Sequence, residues 1–257
     1  MNSPMLKVVR PDVSSEEWKL RLELAACYRL FDALGWTELI FNHITVRAPG
    51  SEPAYLINPY GLHYSEVTAS NLVKIDTEGK KLDNSPYPVN PAGFVIHSAI
   101  HRASDRAHCV MHTHTTAGMA VACKEEGLRF DNFYSVRFWG CVGYHDFEGL
   151  TTRMDEQPRL VKSLGENDAL ILRNHGLLVT GPDVARTFLT MWTLQRACEV
   201  QMASDAAPGP NRAVSREVLD ANPMRNQGMG DGEKHTLAHT VFETMLRRHG
   251  IRYEDLE

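Results

Sequence analysis

Residues 109–115 read Cys-Val-Met-His-Thr-His-Thr, and this stretch decides how the rest of the chain is interpreted. Its apolar first half predicts a short buried strand. Residues two apart in a strand point to the same face, so His112 and His114 are expected to project together. Two adjacent imidazoles before a turn indicate half of a metal site, although strand-end histidines that bond only to the backbone have the same spacing.

The other half of such a site is predicted in residues 169–176, Ala-Leu-Ile-Leu-Arg-Asn-His-Gly. His175 again follows an apolar run and precedes a glycine, which is the context of the first pair. The resulting prediction is that three imidazoles from two separate segments converge on one cation. From the residues alone, three histidines with structural hydrogen bonds remain an equal alternative.

Composition is that of an ordinary globular protein and argues against several functional classes. The 257 residues are 43% hydrophobic and 23% charged, which is enough for a sizeable core. A formal net charge of −5 gives no basic surface, so nucleic acid is not an expected partner. No apolar run reaches the ~18 residues of a membrane span. The five cysteines are scattered without a Cys-x-x-Cys pair, which favours reduced thiols in the cytoplasm.

The order of the elements predicts an arm, a domain and a tail. We expect a loose N-terminal arm over residues 1–13, the main domain over 14–205 and a C-terminal helical extension over 206–257. The domain opens with Ser14 to Glu17, a capping-box pattern, and its first helix should stop at Gly35. Hairpins mixed with helices then indicate one sheet covered by helices.

Periodicity and turn signals place the remaining elements. Strands are predicted over 40–47, 54–58, 73–76, the two histidine segments and 177–180. Helices are predicted over 92–102, 116–124, 152–164 and 183–203, with a single helical turn over 68–72. Residues 143–147 look too polar for the interior of a buried strand. In the tail, a short and a longer helical pattern flank the glycine-rich residues 228–232.

Several motifs together resemble one known family. They are Asn42-His43-Ile44-Thr45-Val46-Arg47, Asn58-Pro59-Tyr60-Gly61, Asn90-Pro91-Ala92-Gly93-Phe94 with His97, the His112/His114 pair, Tyr144-His145-Asp146-Phe147, and Leu172-Arg173-Asn174-His175-Gly176. This set resembles the class II aldolase/adducin family, and is more similar to the adducin head domain and its bacterial relatives than to sugar-phosphate aldolases. The resemblance implies an α/β fold, a three-layer αβα sandwich with a mixed, largely antiparallel central sheet. It also implies a homotetramer with sites near subunit boundaries.

The resemblance also implies roles for individual residues. The positions of His112, His114 and His175 hold a divalent ion in the aldolases, most often zinc, with manganese or iron as alternatives. Tyr144 matches a tyrosine that donates a proton to the reacting centre. The substrate-binding positions correspond to His43, Tyr60 and Gly93. His97 is expected to support the site rather than to ligate. From the residues themselves, His145 and Asp146 are interpreted as a hydrogen-bonded pair on a turn, with a catalytic role as the alternative.

The departures from the family pattern narrow the chemistry. Gly93 stands where aldolases have a glutamate that serves as metal ligand and general acid/base, and glycine can do neither. Serines that hold the substrate phosphate are replaced by Tyr60, Pro91 and Ala92. The leading hypothesis is therefore a divalent-metal-dependent lyase, of aldolase or decarboxylase type, that acts on a small non-phosphorylated oxo- or hydroxy-acid. The alternatives are a non-catalytic adducin-like interaction domain and a mononuclear iron oxygenase that uses the same histidines.

Overall fold

A seven-stranded sheet runs through the part of the chain that the computed structural model describes, which is residues 10–150, 153–221 and 236–257. Its strands are β1 (His43–Arg47), β2 (Ala54–Ile57), β3 (Val73–Asp76), β4 (Cys109–Thr113), β5 (Val142–His145), β6 (Ala169–Leu172) and β7 (Gly176–Gly181). The helices are α1 (Ser15–Ala33), α2 (Pro91–Ala103), α3 (Thr116–Ala122), α4 (Gln157–Leu164), α5 (Val184–Ala206), α6 (Arg216–Ala221) and α7 (Leu237–Arg248).

The strands lie in the order β3-β2-β1-β4-β7-β6-β5. Each neighbouring pair is antiparallel except β5 and β6, which are parallel. The predicted mixed, largely antiparallel sheet is therefore confirmed. Strand β4 is central, with β1 on one side and β7 on the other, so its histidines lie at the middle of the sheet.

Helices cover both faces of the sheet, which confirms the three-layer sandwich. In β4, Cys109 and Met111 pack into the core formed with α1, α3, α5 and α7, whereas Val110 points to the core formed with α2 and α4. This alternation is the two-residue period of a strand buried on both faces. Each large aliphatic side chain buried in this way contributes about 1.5–3 kcal/mol to stability. Packing in these two cores fixes the position of the C-terminal end of β4.

Helix α1 has the start and stop that its sequence predicts. The Ser14 hydroxyl accepts a hydrogen bond from the Glu17 amide at 3.1 Å, and Gly35 after the helix has φ +70°. The Glu17 carboxylate does not return to the cap as a capping box requires. It accepts instead from Arg21 at 2.9 Å and from Lys74 at 2.7 Å, and Arg21 is 1% exposed. Glu17 therefore pairs with the buried guanidinium of Arg21 instead of completing the capping box.

The loop before β1 differs from its prediction. The alternating pattern from residue 40 predicts a strand that begins there, but β1 begins at His43. Leu39 and Asn42 have φ of +52° and +66°, so the backbone enters the left-handed region and cannot continue a ladder. Phe41 is consequently 44% exposed at the end of the sheet. The alternating apolar residues before His43 therefore belong to the wall of a cavity and not to a strand.

Other elements deviate at their ends or in type. Residues 68–72 form a turn, not a helical turn, closed by the Asn71 side chain accepting from the Thr68 amide at 2.9 Å. Helix α4 begins only at Gln157, after a 3-10 turn over Met154–Glu156. Residues 142–145 form a strand although residues 143–147 are polar, because β5 is the last strand of the sheet and only alternate residues are buried.

The tail partly joins the domain. Helix α7 packs on α5, where the rings of Phe242 and Phe188 have centroids 5.6 Å apart. The predicted glycine-rich separator at 228–232 and residues 1–9 of the predicted arm lie outside the described residues. Among the described helices, no segment is both long and apolar enough to cross a bilayer.

Candidate metal centre

The central strands bring together the histidines of the two segments. His112 is in β4, His114 follows the strand directly, and His175 lies in the turn between β6 and β7. Strands β4 and β7 are antiparallel neighbours, with His112 opposite Leu178. The β6–β7 turn therefore stands beside the end of β4. His175 is placed by this turn and not by a strand of its own.

The three imidazoles form a compact triangle. Their ring centroids are 4.6 Å apart for His112 and His114, and 4.8 Å apart for each of these with His175. One nitrogen from each ring lies within 4.8 Å of the other two, and Nε2 of His112 is 2.8 Å from Nε2 of His114. Nitrogen donors that converge in this way can bind one divalent cation.

The surroundings hold these histidines in the neutral form. The Leu177 carbonyl accepts a hydrogen bond from Nδ1–H of His112 at 2.9 Å. Because the proton of the neutral ring is on Nδ1, the lone pair of Nε2 is directed at the triangle. Burial lowers the pKa of His112 well below its usual value and that of His175 to about 4. Burial also lowers the pKa of His114, where the Glu38 carboxylate acts in the opposite direction. Neutral imidazole is the form that binds metal.

The triangle opens into a cavity of about 630 Å³. Its lining consists of Phe41, Asn42, His43, Tyr60, Asn90, Ile96, His112, His114, Met119, Phe147, Gly149, Leu150, Asn174 and His175. Among the described residues, no lysine, arginine, aspartate or glutamate contributes to this lining. A metal bound by the triangle would thus have open coordination positions that face a neutral, largely apolar space.

His43 and Gly93, both predicted to bind substrate, are in direct contact. A Cβ atom added to Gly93 would lie 2.8 Å from Cγ of His43, closer than such atoms approach in proteins. The His43 ring therefore fills the space in front of Gly93, and Gly93 itself is not in the cavity lining. Neither ring nitrogen of His43 makes a hydrogen bond of normal geometry with a described residue. Burial lowers the pKa of His43 to about 3.

The other predicted site residues are divided between the cavity and its surroundings. Tyr60 lines the cavity, half-buried. Tyr144 does not line it: its hydroxyl accepts a hydrogen bond from the Leu128 amide at 3.1 Å, and Arg173 lies over its ring at 4.7 Å from the centroid. The role of Tyr144 in proton transfer therefore stays a prediction. In a single chain this tyrosine packs beside the sheet edge.

Two further histidines form a buried network behind His43. The ring of His97 has its centroid 4.2 Å from that of His43, and its Nδ1 is 2.6 Å from the hydroxyl of Thr45. The same hydroxyl lies 2.7 Å from Nε2 of His101, whose Nδ1 donates to the Ala107 carbonyl at 2.7 Å. These contacts agree with the expectation that His97 supports the site.

Sequence reasoning assigned no role to Asn42 and Asn174, yet both line the cavity with left-handed backbones, at φ +66° and +57°. The Asn42 amide is also buried, and neither its oxygen nor its nitrogen has a partner among the described residues. Strained and unsatisfied groups of this kind cluster at functional sites. Asparagine tolerates the left-handed region, so two asparagines beside histidines in the sequence were a signal that could have been used.

The family comparison agrees with this geometry. The model of the class II aldolase and adducin N-terminal domain family matches residues 22–202. A Pseudomonas aeruginosa protein that carries an aldolase class 2 name is 47% identical over 230 residues, covering 86% of this chain and 88% of its own. Alpha-adducin of Rattus norvegicus is 39% identical over 240 residues, which cover 89% of this chain but 32% of adducin.

Solved structures show the same fold. An aldolase II superfamily protein from Pseudomonas syringae superposes with a TM-score of 0.87 at 38% identity, covering 94% of this chain and 96% of its own. L-fuculose 1-phosphate aldolase from Glaciozyma antarctica superposes with a TM-score of 0.79 at 26% identity, covering 95% and 96%. The three-histidine cavity is thus built on a fold that is found in an enzyme of this class.

Proposed function

The chain belongs to the class II aldolase and adducin N-terminal domain family, and from that premise we propose that it is a divalent-metal-dependent carbon–carbon lyase. Its substrate in this proposal is a small, non-phosphorylated oxo- or hydroxy-acid, cleaved beside its carbonyl or hydroxyl carbon. The observation that carries the proposal is the convergence of His112, His114 and His175 in a cavity whose described lining lacks cationic side chains.

The triangle fits a divalent cation in donor type, spacing and protonation. Three neutral imidazole nitrogens within 4.8 Å of one another suit zinc, which we propose as the native ion, with manganese or iron as alternatives. A bound cation would act as a Lewis acid toward substrate oxygen atoms. The chain's own contribution is to hold His112 in one tautomer through the Leu177 carbonyl.

The polar groups near the triangle supply the remaining recognition in this proposal. The buried Asn42 amide and the His43 ring both have polar atoms without partners among the described residues. These atoms are buried, so a substrate oxygen could accept from the Asn42 Nδ2 group and from one His43 nitrogen only after the side chains turn toward the cavity. An unsatisfied buried donor costs about 1–3 kcal/mol, which favours that movement. The missing cationic lining argues against a phosphorylated sugar, because phosphate sites use arginine, lysine or clustered amides.

Gly93 selects between the two lyase reactions. An aldol cleavage that removes a hydroxyl proton requires a base at the reacting centre, and no side chain is available at position 93. Decarboxylation of an ionised acid whose carboxylate is β to a carbonyl needs no base for its first step, because carbon dioxide leaves and the electron pair of the broken C–C bond enters an enolate. We therefore place decarboxylation before retro-aldol cleavage for this chain.

Tyr144 and the assembly state belong to the same proposal. The tyrosine lies outside the cavity of its own chain, so a proton-donating role requires that it reach the cavity of a neighbouring copy. We accordingly propose a homotetramer with each site near a subunit boundary. The support for it is this position of Tyr144 together with the family membership.

Metal analysis and a lyase assay test the proposal directly. Purified protein should contain one divalent ion per chain, and His112→Ala should remove it, while His108→Ala at an exposed position should retain it. Release of carbon dioxide from 3-oxo acids, or of an aldehyde from 4-hydroxy-2-oxo acids, should depend on that ion. Protein that binds no stoichiometric metal would refute the lyase. Protein that consumes oxygen with Fe(II) and 2-oxo acids, but does not cleave these acids without oxygen, would also refute it.

A non-catalytic, adducin-like interaction domain is the second candidate. Gly93 and the 39% identity to alpha-adducin favour it. A scaffold has no need of an open pocket, so the cavity of about 630 Å³ favours the enzyme. If metal-loaded protein has no affinity for any oxo- or hydroxy-acid, the scaffold becomes the better explanation.

A further inference from the structure

The cavity has two chemically different ends. The inner end has the three histidines with the polar groups of Asn42 and His43. The outer end also carries the polar Asn174, but its large exposed side chains are four apolar ones that line the same cavity and are called the apolar mouth here. They are Phe41 at 44% exposure, Met119 at 36%, Phe147 at 53% and Leu150 at 87%.

The apolar mouth is continuous with the metal triangle. The ring of Phe147 has its centroid 6.4 Å from that of His175, so a ligand that reaches the triangle passes this ring. Ile96, which is buried, extends the apolar wall inward. Large apolar side chains exposed together around a cleft are typical of a surface that a ligand covers.

Charge further restricts what can lie at the mouth. The described lining contains no lysine or arginine that could pair with a second carboxylate or a phosphate. The nearby Arg173 is turned away, since it donates to the Lys124 carbonyl at 3.0 Å and its Nε lies 3.8 Å from Asp146. A charged far end of the ligand would thus find no cationic partner among the described lining residues of its own chain. The cavity volume of about 630 Å³ also exceeds the needs of a three-carbon acid and falls within the roughly 300–1,000 Å³ of pockets for larger ligands.

We propose that the substrate is an oxo- or hydroxy-acid whose carbon chain ends in an aromatic or extended alkyl group, and that this group lies against the apolar mouth. This inference rests on the proposed function, because it takes the oxygen-bearing end of the ligand to face the histidines. The mouth then acts as the specificity-determining surface. Its contribution is to select length and apolarity, whereas the inner end selects the acid.

The test is a binding series on zinc-loaded protein, measured by calorimetry. The probes are pyruvate, 2-oxobutanoate, 2-oxopentanoate, 2-oxohexanoate and phenylpyruvate, with 2-oxoglutarate as the charged counterpart of 2-oxopentanoate. Each methylene that enters the mouth should tighten Kd about fourfold, as expected for burial of one methylene. Phenylpyruvate should bind more tightly than pyruvate, and 2-oxoglutarate more weakly than 2-oxopentanoate.

Variants of the mouth locate the effect. Phe147→Ser and Leu150→Ser should each reduce the gain in affinity from pyruvate to 2-oxohexanoate severalfold. Phe133→Ser is the matched control, because Phe133 is 76% exposed but does not line the cavity. This control should keep the full dependence on chain length.

The outcomes separate this inference from the proposed function. If pyruvate binds and longer acids bind no more tightly, the inference is wrong and the lyase proposal stands. A preference for 2-oxoglutarate also overturns the inference. If Leu150→Ser dissociates the assembly in sedimentation while the length dependence persists, the mouth is a contact between copies and the inference is again wrong. Protein that binds zinc but none of the acids refutes the proposed function itself, and the inference with it.

Discussion

The imidazole of His43 occupies the space in front of Gly93, since a Cβ on Gly93 would lie 2.8 Å from Cγ of His43. The two positions therefore form one steric unit, although 50 residues separate them in the sequence. A carboxylate at position 93, as in the aldolases, is compatible with the fold only if the ring at position 43 is removed.

The first prediction concerns that pair. Gly93→Glu alone should destabilise the protein by about 1–3 kcal/mol, because the new side chain overpacks against a buried ring. Combining it with His43→Ala should recover much of that loss, giving a coupling energy of about 1–3 kcal/mol in a double-mutant cycle. Urea unfolding of the two single variants and the double variant measures it. Strictly additive changes would show that the two residues do not compete for space.

The second prediction concerns metal removal. Zinc at a hundredfold excess over its Kd should stabilise the folded protein by about 2.7 kcal/mol, which is roughly 5–10 °C in Tm for a domain of this size. A chelator should reverse the shift. In His114→Ala the shift should be lost, whereas His108→Ala should retain it; equal shifts in both variants would place the ion elsewhere. Differential scanning calorimetry is the measurement.

The third prediction concerns Tyr144. Tyr144→Phe removes the acceptor of the Leu128 amide and should cost roughly 1 kcal/mol of stability, with metal content unchanged. If the phenol donates a proton, kcat should also fall by roughly a hundredfold or more. Mixed assemblies of Tyr144→Phe and His112→Ala chains should then regain activity, because a neighbour supplies the missing group. An unchanged kcat in Tyr144→Phe would confine the tyrosine to packing, and a lowered kcat without recovery in the mixed assemblies would place it in the site of its own chain.

The fourth prediction concerns acid stability. Burial lowers the pKa of His101 to about 3, so the folded protein keeps this ring neutral while the unfolded chain binds a proton below about pH 6.5. Its contribution to stability is therefore present above pH 6.5 and is lost as pH falls toward 3, with a slope of up to about 1.4 kcal/mol per pH unit. His101→Gln should flatten the fall in unfolding free energy between pH 6.5 and 5. An unchanged slope would assign the acid sensitivity to other groups.

Local signals in the sequence were sufficient for much of the fold. Helix α1 is predictable because Ser14 and Gly35 act within one turn of its ends. The mixture of hairpins and helices predicts one sheet covered by helices, whereas the three layers were expected from the family resemblance. Where one local sequence pattern is compatible with two structures, the pattern does not determine which of them forms. The apolar residues before His43 look like a strand, but the left-handed Leu39 and Asn42 turn them into a cavity wall.

The site was predictable in its residue types and less so in its shape. Family motifs identify His112, His114 and His175, and the structure brings them into one triangle. The filling of the space at Gly93 by His43 depends on the packing of α2 against β1, and no local pattern encodes that contact. The same holds for Tyr144, whose distance from the cavity is set by the position of β5 at the sheet edge.

The turn that places His175 has a consequence for biosynthesis. A ribosome that has made His114 has produced two ligands, and the third follows 61 residues later (175 minus 114). That third ring lies beside the first two because β7 pairs with β4, so we expect the triangle to be complete only after this pairing has formed. If the proposed metal site is right, cells starved of metal should therefore accumulate folded, metal-free protein, which later loading can rescue without new synthesis.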